Sequence, residues 1–227
     1  MSNKKKYYIY EMDIIILNIG SLLLLFFFLG IGFIIYPSFL YDVFNHYSFL
    51  IFMIIYILYM ILHELLHSLA YVIYGANYKN ITYGMCLEKG VLCCLCKQNI
   101  NKNNILHSLM YPLIIIGFLT FIIGYLFRLP LLFILSIFNI SGCIGDIIMF
   151  FFIKKLDNNI FFSEFDDPTS FSIYTDKDIS KEKHFGLKYL GSFYELKRND
   201  LRKIYISLPS ILLLFVILIL GVIIKNI

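Results

Sequence analysis

The stretch that organises this chain is Tyr59–Tyr71, YMILHELLHSLAY. His63, Glu64 and His67 stand there inside an otherwise apolar run, Phe49–Tyr74. An ionisable side chain in hydrocarbon costs roughly 2.5–3.5 kcal/mol on insertion scales, so this group requires a compensating partner. On a helix the two histidines lie one turn apart on one face. Two imidazoles at this spacing bind one Zn²⁺ while the glutamate between them acts as a base. The stretch therefore predicts a metal site.

The composition indicates a membrane protein. Hydrophobic residues make up 60 % of the 227 residues, charged residues make up 15 %, and the mean hydropathy is +0.81. An average soluble domain is about 45–50 % apolar and about 25 % charged. The excess lies in long uninterrupted runs, which are typical of membrane spans. The net charge of +4 is too small to suggest a nucleic acid partner. We therefore expect the lipid bilayer as a partner and no nucleic acid.

The apolar runs predict an all-α membrane protein formed by residues 1–227 as a single domain. The first run is longer than the apolar core of a secretory signal and lacks a cleavage-site pattern, so we expect it to be retained. Two β-prone stretches, Ile81–Leu87 and Val91–Lys97, predict a small hairpin. Residues 154–206 hold much of the charge and predict a soluble insertion before the last helix. The five predicted spans are 14–36, 49–74, 105–127, 131–153 and 208–224.

The positive charges predict the orientation. Five spans would leave 17 of the 19 Lys and Arg residues on the side of the N-terminus. The exceptions are Arg128 and Lys225. Because cytoplasmic loops carry the excess of Lys and Arg, we expect the N-terminus, residues 75–104 and residues 154–206 in the cytoplasm. The predicted location is thus a multi-pass protein of the plasma membrane.

Asp146 is the predicted third metal ligand. A hydrolytic zinc site uses three protein ligands and an open position, and Asp146 is the acid within another long apolar run. His67 and Asp146 each lie seven residues before the predicted end of an inward-running span. At 1.5 Å per residue, both are about 10 Å inside the membrane boundary. Ser141, Gly142 and Gly145 would let the Asp146 helix approach a neighbour closely.

Three motifs resemble a known family: HELLHSLAY (63–71), NISGCIGD (139–146) and FSEFDDPTSFSIY (162–174). Together with Pro112 and the hairpin, they resemble the putative zincin peptidases, which are similar to the site-2 intramembrane zinc metalloproteases. The resemblance covers roughly residues 45–175. It implies His63, His67 and Asp146 as zinc ligands and Glu64 as the catalytic base. The chain lacks the Asn-Pro-x-Asp-Gly signature of the site-2 proteases, since Ile140 follows Asn139 and Ile147 follows Asp146.

Simpler roles compete with the metal site. His63, Glu64, His67 and Asp146 would also suit a polar network between helices. Asn139 is more often a contact between helices than a contact to substrate. Cys93, Cys94 and Cys96 could chelate a second metal, but they lack a C-x-x-C pair. The remaining polar candidates have local explanations: His107 as an interfacial residue, Cys143 as a small buried residue, Asp166 and Asp167 as turn residues, and His46 and His184 as surface histidines.

The predicted function is zinc-dependent hydrolysis of peptide bonds in membrane-embedded proteins or peptides, near the cytoplasmic leaflet. Glu64 would take the proton of the attacking water and pass it to the leaving amine. The hairpin would hold an unwound substrate by strand addition. The main alternative is a non-catalytic metal-binding membrane partner protein, and a different membrane hydrolase or a transporter is another. An intact Glu64 favours the enzyme, because a purely structural metal site needs no base.

Overall fold

The architecture is given by a computed structural model that describes residues 5–87, 91–164, 169–194 and 205–206. The helices, in chain order, are α1 (Ile14–Ile35), α2 (Phe39–His46), α3 (Phe49–Ile73), α4 (Lys102–Pro112), α5 (Thr120–Leu126), α6 (Pro130–Gly142) and α7 (Ile144–Lys155). The strands are β1 (Lys6–Met12), β2 (Ile81–Leu87), β3 (Val91–Cys96), β4 (Ile100–Asn101), β5 (Phe161–Glu164), β6 (Ser170–Thr175), β7 (Leu187–Phe193) and β8 (Tyr205–Ile206). A short 3₁₀ turn, Tyr78–Asn80, precedes β2.

Three helical segments of the described chain are long and apolar enough to cross a membrane: Ile14–Ile35, Phe49–Ile73 and Lys102–Leu126. They agree with the first three predicted spans. The third is continuous because a π-helical segment, Leu113–Leu119, joins α4 to α5. This segment begins directly after Pro112, whose nitrogen has no hydrogen to donate to the helical ladder.

The fourth predicted span, 131–153, is not one straight helix. It consists of α6 and α7, which meet at Cys143 with a bend of 45° and together would make a fourth span. Ser141 Oγ donates to the Phe138 carbonyl at 2.8 Å, and Gly142 follows. Serine and glycine next to each other are a common cause of a sharp helix kink. The fifth predicted span, 208–224, lies outside the described residues.

Polar side chains set where the long helices begin. The Asp13 carboxylate accepts from the backbone N–H groups of Ile15 and Ile16 and caps α1. Ser48 Oγ accepts from the Ile51 N–H at 3.4 Å and caps α3. These side chains bind N–H groups that the first turn of a helix leaves free. The apolar runs therefore become helices with defined starts.

The prediction of an all-α fold is wrong, because the described chain contains two sheets. One is a five-stranded antiparallel sheet in the order β4-β5-β6-β1-β7, and the other has three strands in the order β3-β2-β8. The predicted hairpin is confirmed as β2 and β3, which pair from Ile81↔Cys96 to Cys86↔Val91. Strand β1, KYYIYEM, is rich in β-prone tyrosine and pairs with β6 from Lys6↔Thr175 to Glu11↔Ser170.

The five-stranded sheet joins the segments that were predicted to share one side of the membrane. Strand β1 comes from the N-terminus, β4 from the segment before α4, and β5, β6 and β7 from the chain after α7. All three segments therefore lie at the same end of the helices. That this end faces the cytoplasm stays a prediction.

The five-stranded sheet packs on α7 through a hydrophobic core. Tyr10 of β1 packs on Phe152 of α7 with ring centroids 4.7 Å apart, and Phe171 of β6 completes the cluster. All three side chains are buried. Because aromatic pairs in a core hold defined geometries, the sheet and α7 are positioned as one body. This matters for function because α7 carries Asp146.

A buried lysine fixes the C-terminal end of α7. Lys102, at the start of α4, is 7 % exposed, and its ammonium donates to the carbonyls of Lys154 and Leu156 and to Asn158 Oδ1. The last carbonyls of a helix lack partners within the helix and attract a positive charge. Lys102 therefore caps α7 and holds it at a set depth against α4.

Candidate metal site

Helix α3 presents the two histidines of the HELLH motif on one face. The Nε2 atoms of His63 and His67 lie 3.2 Å apart. His67 is 6 % exposed, and His63 is half-buried beside it. The one-turn spacing thus produces the convergence that the sequence predicted.

Asp146 of α7 completes the cluster. Its Oδ2 lies 3.5 Å from His63 Nε2, and its Oδ1 lies 3.5 Å from His67 Nε2. The donor atoms of the three residues all lie within 4.8 Å of one another, so together they could hold a metal ion. Ligand atoms about 2.0–2.1 Å from a tetrahedral zinc are separated by about 3.3–3.4 Å. The 3.2 Å between the two imidazole nitrogens is close to this separation, and each of these nitrogens has one Asp146 oxygen at 3.5 Å.

The outer nitrogens of both imidazoles are held by acceptors. His63 Nδ1 lies 2.8 Å from Asn139 Oδ1, and His67 Nδ1 lies 3.1 Å from the Ser108 carbonyl. Each acceptor takes the single proton of a neutral imidazole, so both Nε2 atoms are left as bare lone pairs. Two lone pairs and a carboxylate then face one another, and this arrangement is repulsive without a cation between them. The donor set therefore fits zinc.

Asn139 has a second contact that fixes its orientation. Its Nδ2 donates to the Pro112 carbonyl at 3.3 Å. A carbonyl can only accept, so the Asn139 amide nitrogen faces Pro112 and its oxygen faces His63. Asn139 is therefore a contact between helices, as the sequence favoured, and also the residue that orients His63. Sequence reasoning missed the second role, although Asn139 lies two turns before Asp146 on the same predicted helix.

Glu64 faces strand β3. Glu64 and Cys94 of this strand line one cavity of about 380 Å³, together with His63, His67 and Asp146. Its walls come from α1, α3, α7, β3 and the end of β5, and they include the polar side chains of Asn18 and Ser21. The cavity therefore places a base next to the candidate metal ligands.

Glu164, at the end of β5, is a residue of this cavity that sequence reasoning missed. It accepts from the Tyr71 hydroxyl at 3.0 Å and from the Cys96 backbone N–H. Burial raises the pKa of the Glu164 carboxyl to about 8. Tyr71 follows His67 by one helical turn, so Glu164 links β5 and β3 to the metal-bearing face of α3. The sequence feature that could have pointed to Glu164 is its place as an acid at the end of an otherwise apolar strand, FFSE.

The other sequence candidates lie apart from the ligand cluster or beside it. His107 packs on the Tyr74 ring at 5.7 Å, His46 Nδ1 bonds to the Asp42 carbonyl, and His184 packs on Phe152. Cys143 is buried next to Asn139, whose Nδ2 lies 3.7 Å from its Sγ. Asp166 and Asp167 lie outside the described residues.

Among the described residues, the cysteines of β3 do not form a second metal cluster. Cys93, Cys94 and Cys96 are buried. Burial raises the pKa of the Cys94 thiol, which disfavours the thiolate that a metal would require. They therefore act as small buried side chains of the strand.

The orienting role of Asn139 leads to a prediction. Asn139→Leu removes the acceptor for His63 Nδ1–H, so we expect zinc affinity to fall by about 10–100-fold, as for other residues that orient metal ligands. Asn139→Asp keeps an acceptor oxygen and should retain most of the affinity. Titration of the purified variants with a competing zinc chelator checks this. Equal affinity in wild type and Asn139→Leu would contradict the role.

The site combines an HExxH helix, a pattern known from zinc metalloproteases, with an acidic residue from another helix. In agreement, residues 56–161 match the protein family described as "putative zincin peptidase". The match confirms the resemblance seen in the sequence over this segment, which runs from within α3 to the start of β5 and includes His63, Glu64, His67 and Asp146. No curated protein and no solved structure matches the chain.

Proposed function

We propose that the protein is a zinc-dependent peptidase of the membrane that hydrolyses peptide bonds of membrane-embedded substrates. The observation that carries this proposal is the convergence of His63 Nε2, His67 Nε2 and the Asp146 carboxylate at separations of 3.2–3.5 Å. Glu64 lies in the same cavity as these three groups. A base beside three metal ligands is the arrangement that hydrolysis requires and that a structural metal site does not.

The mechanism assigns a role to each side chain. His63, His67 and Asp146 would hold the zinc, which when bound supplies a Lewis acid that activates water and polarises the scissile carbonyl. Glu64 takes the proton from the attacking water and passes it to the leaving amine. Asn139 and the Ser108 carbonyl keep the two imidazoles in the tautomer that binds metal through Nε2.

Strand β3 is the proposed docking site for an unwound substrate. Its residues Leu92–Leu95 line the cavity beside Glu64. It is the end strand of the three-stranded sheet among the described residues, with β2 on one side only. An edge strand offers main-chain groups to which an extended peptide can add. A peptide bond in a helix is protected by its own hydrogen bonds, so local unwinding onto β3 would expose it.

The metal content of the purified protein tests this function most directly. We expect about one zinc per chain in wild type, because the three ligands form one site. His67→Ala should lose the zinc, and His107→Ala, which changes a histidine outside the cluster, should retain it. Elemental analysis after dialysis measures both. Wild-type protein without zinc or any other divalent metal would refute the proposal.

We further propose that the protein is a multi-pass plasma-membrane protein whose sheet side faces the cytoplasm. The support is that 17 of 19 basic residues belong to segments on that side. A reporter fused after Lys155 should then be cytoplasmic, and one fused after Arg128 external. Activity of paired enzyme reporters that each work in one compartment checks this. The reverse result at both positions would place the site near the outer leaflet.

A further inference from the structure

The third membrane-type helix, Lys102–Leu126, contains a proline beside the candidate metal site. In a regular α-helix, the carbonyl of residue 108 accepts from the backbone N–H of residue 112. That residue is Pro112, which has no N–H, and a proline ring crowds the carbonyl four residues earlier. The following N–H, that of Leu113, donates to the Met110 carbonyl. The Ser108 carbonyl therefore lacks its usual helical donor.

The Ser108 carbonyl is the acceptor that contacts a candidate metal ligand. His67 Nδ1 lies 3.1 Å from it, and both residues are buried. Because a carbonyl can only accept, this contact places a proton of the imidazole on Nδ1. Nε2, which faces His63 and Asp146, is then the atom that can bind the ion. The N–H that Pro112 lacks would otherwise compete with His67 for this carbonyl.

The carbonyl of Pro112 itself serves the second histidine. It accepts from Asn139 Nδ2 at 3.3 Å, and Asn139 Oδ1 lies 2.8 Å from His63 Nδ1. Pro112 ends α4, and the π-helical segment Leu113–Leu119 follows, so the hydrogen-bond pattern of the helix changes at this residue. Both histidines of α3 are thus oriented through carbonyls at positions 108 and 112 of one helix.

A third carbonyl at the same spacing binds another side chain of the cavity. The Ile116 carbonyl accepts from the Tyr59 hydroxyl at 2.6 Å. Tyr59 lies on α3 one turn before His63, and it lines the cavity. Positions 108, 112 and 116 recur every four residues, so they lie on one face of the helix. This face therefore presents a row of backbone acceptors to the side chains of the site.

We propose that Pro112 is a positioning residue of the metal site, because the N–H that it lacks leaves the Ser108 carbonyl to His67. Through its own carbonyl and Asn139, Pro112 also holds His63. This inference rests on the proposed function, since it assigns the metal to Nε2 of both histidines. It also gives the break in the helix a purpose, because a regular α-helix would pair the Ser108 carbonyl with its own N–H.

Pro112→Ala supplies the N–H that the wild-type helix lacks. This N–H should compete with His67 for the Ser108 carbonyl, so we expect zinc affinity to fall about 10-fold, the lower end for residues that orient metal ligands. The effect is partial because a carbonyl has two lone pairs. Titration against a zinc chelator measures it. Pro130→Ala is the matched control and should change nothing, because a proline that begins a helix replaces an N–H without a helical partner.

A second replacement separates the missing N–H from the packing of the proline ring. Lactic acid, the α-hydroxy analogue of alanine, removes the ring at position 112 without adding an N–H. This protein should keep the zinc affinity of wild type. An equal loss of affinity in this protein and in Pro112→Ala would assign the effect to the ring and overturn the proposal. Unchanged affinity in Pro112→Ala would overturn it as well.

Nitrogen NMR of the metal-free protein, labelled with ¹⁵N in its histidines, separates this role from the peptidase. His67 Nδ1 should give the signal of a protonated nitrogen in wild type and in Pro130→Ala. In Pro112→Ala the signal should move toward that of an unprotonated nitrogen, and comparison with His67→Gln assigns it. If wild type binds no zinc, the proposed function fails and this signal alone decides. The same Nδ1 signal in wild type and Pro112→Ala would overturn the positioning role.

Discussion

Glu64→Gln should keep its zinc and lose peptide hydrolysis by about 10²–10⁴-fold, the usual cost of removing a general base. Glutamine preserves the shape of the side chain. It cannot take a proton from water at neutral pH. The three candidate ligands are His63, His67 and Asp146, so the metal should stay bound. The measurement is cleavage of co-expressed single-span proteins at matched expression.

Two controls make this result interpretable. Zinc content should be equal in wild type and Glu64→Gln, and an exposed acid outside the cavity, as in Glu182→Gln, should leave cleavage unchanged. If wild type and Glu64→Gln cleave the co-expressed proteins equally, with zinc in both, the proposed peptidase activity would be refuted. It would favour the non-catalytic metal-binding partner protein.

Asp146→Ala should lower zinc affinity by at least about 100-fold, beyond the 10–100-fold range of residues that only orient ligands. The reason is geometric, because each Asp146 oxygen lies 3.5 Å from one histidine nitrogen. Without the carboxylate, the two remaining ligands would be neutral imidazoles, and a divalent cation in a site of low dielectric would have no charged ligand. Competition with a chelator of known affinity measures the loss.

A matched control for Asp146 is Asp157→Ala. Asp157 follows α7 and pairs with Lys177 at 2.7 Å, with its side chain 51 % exposed. Its removal should leave zinc affinity unchanged. Wild-type affinity in Asp146→Ala would mean that the third ligand lies elsewhere, and Cys143, buried beside His63 and Asn139, would be tested next.

The helices and the ligand candidates could be predicted from the sequence because their signals are local. A long apolar run specifies a span by itself, and His63 and His67 meet because one helical turn separates them. Asp146 could be matched to the two histidines by its depth in the membrane alone. That depth follows from the number of residues to the end of the span, because every helix rises 1.5 Å per residue. The bend at Cys143 was missed. The depth estimate still placed the three side chains together, because Asp146 lies only three residues beyond the bend.

The sheets were largely missed because they depend on partners far apart in the chain. Strand β1 is only seven residues long, and it pairs with segments more than 150 residues away. No strand was predicted for KYYIYEM, which stands just before a long apolar run. The hairpin of β2 and β3 was predictable because its partners are adjacent in sequence.

The sequence alone determined that the chain has a polar cluster of His63, Glu64 and His67 in an apolar helix, with Asp146 as the expected partner. The tertiary structure alone decided which groups hold these side chains. Asn139 and the Ser108 carbonyl orient the imidazoles, and Glu164 reaches the cavity from β5. The physical reason is that a hydrogen bond orients a side chain only when its donor or acceptor partner lies about 3 Å away. That proximity arises only when helices and sheets from distant parts of the chain are packed together.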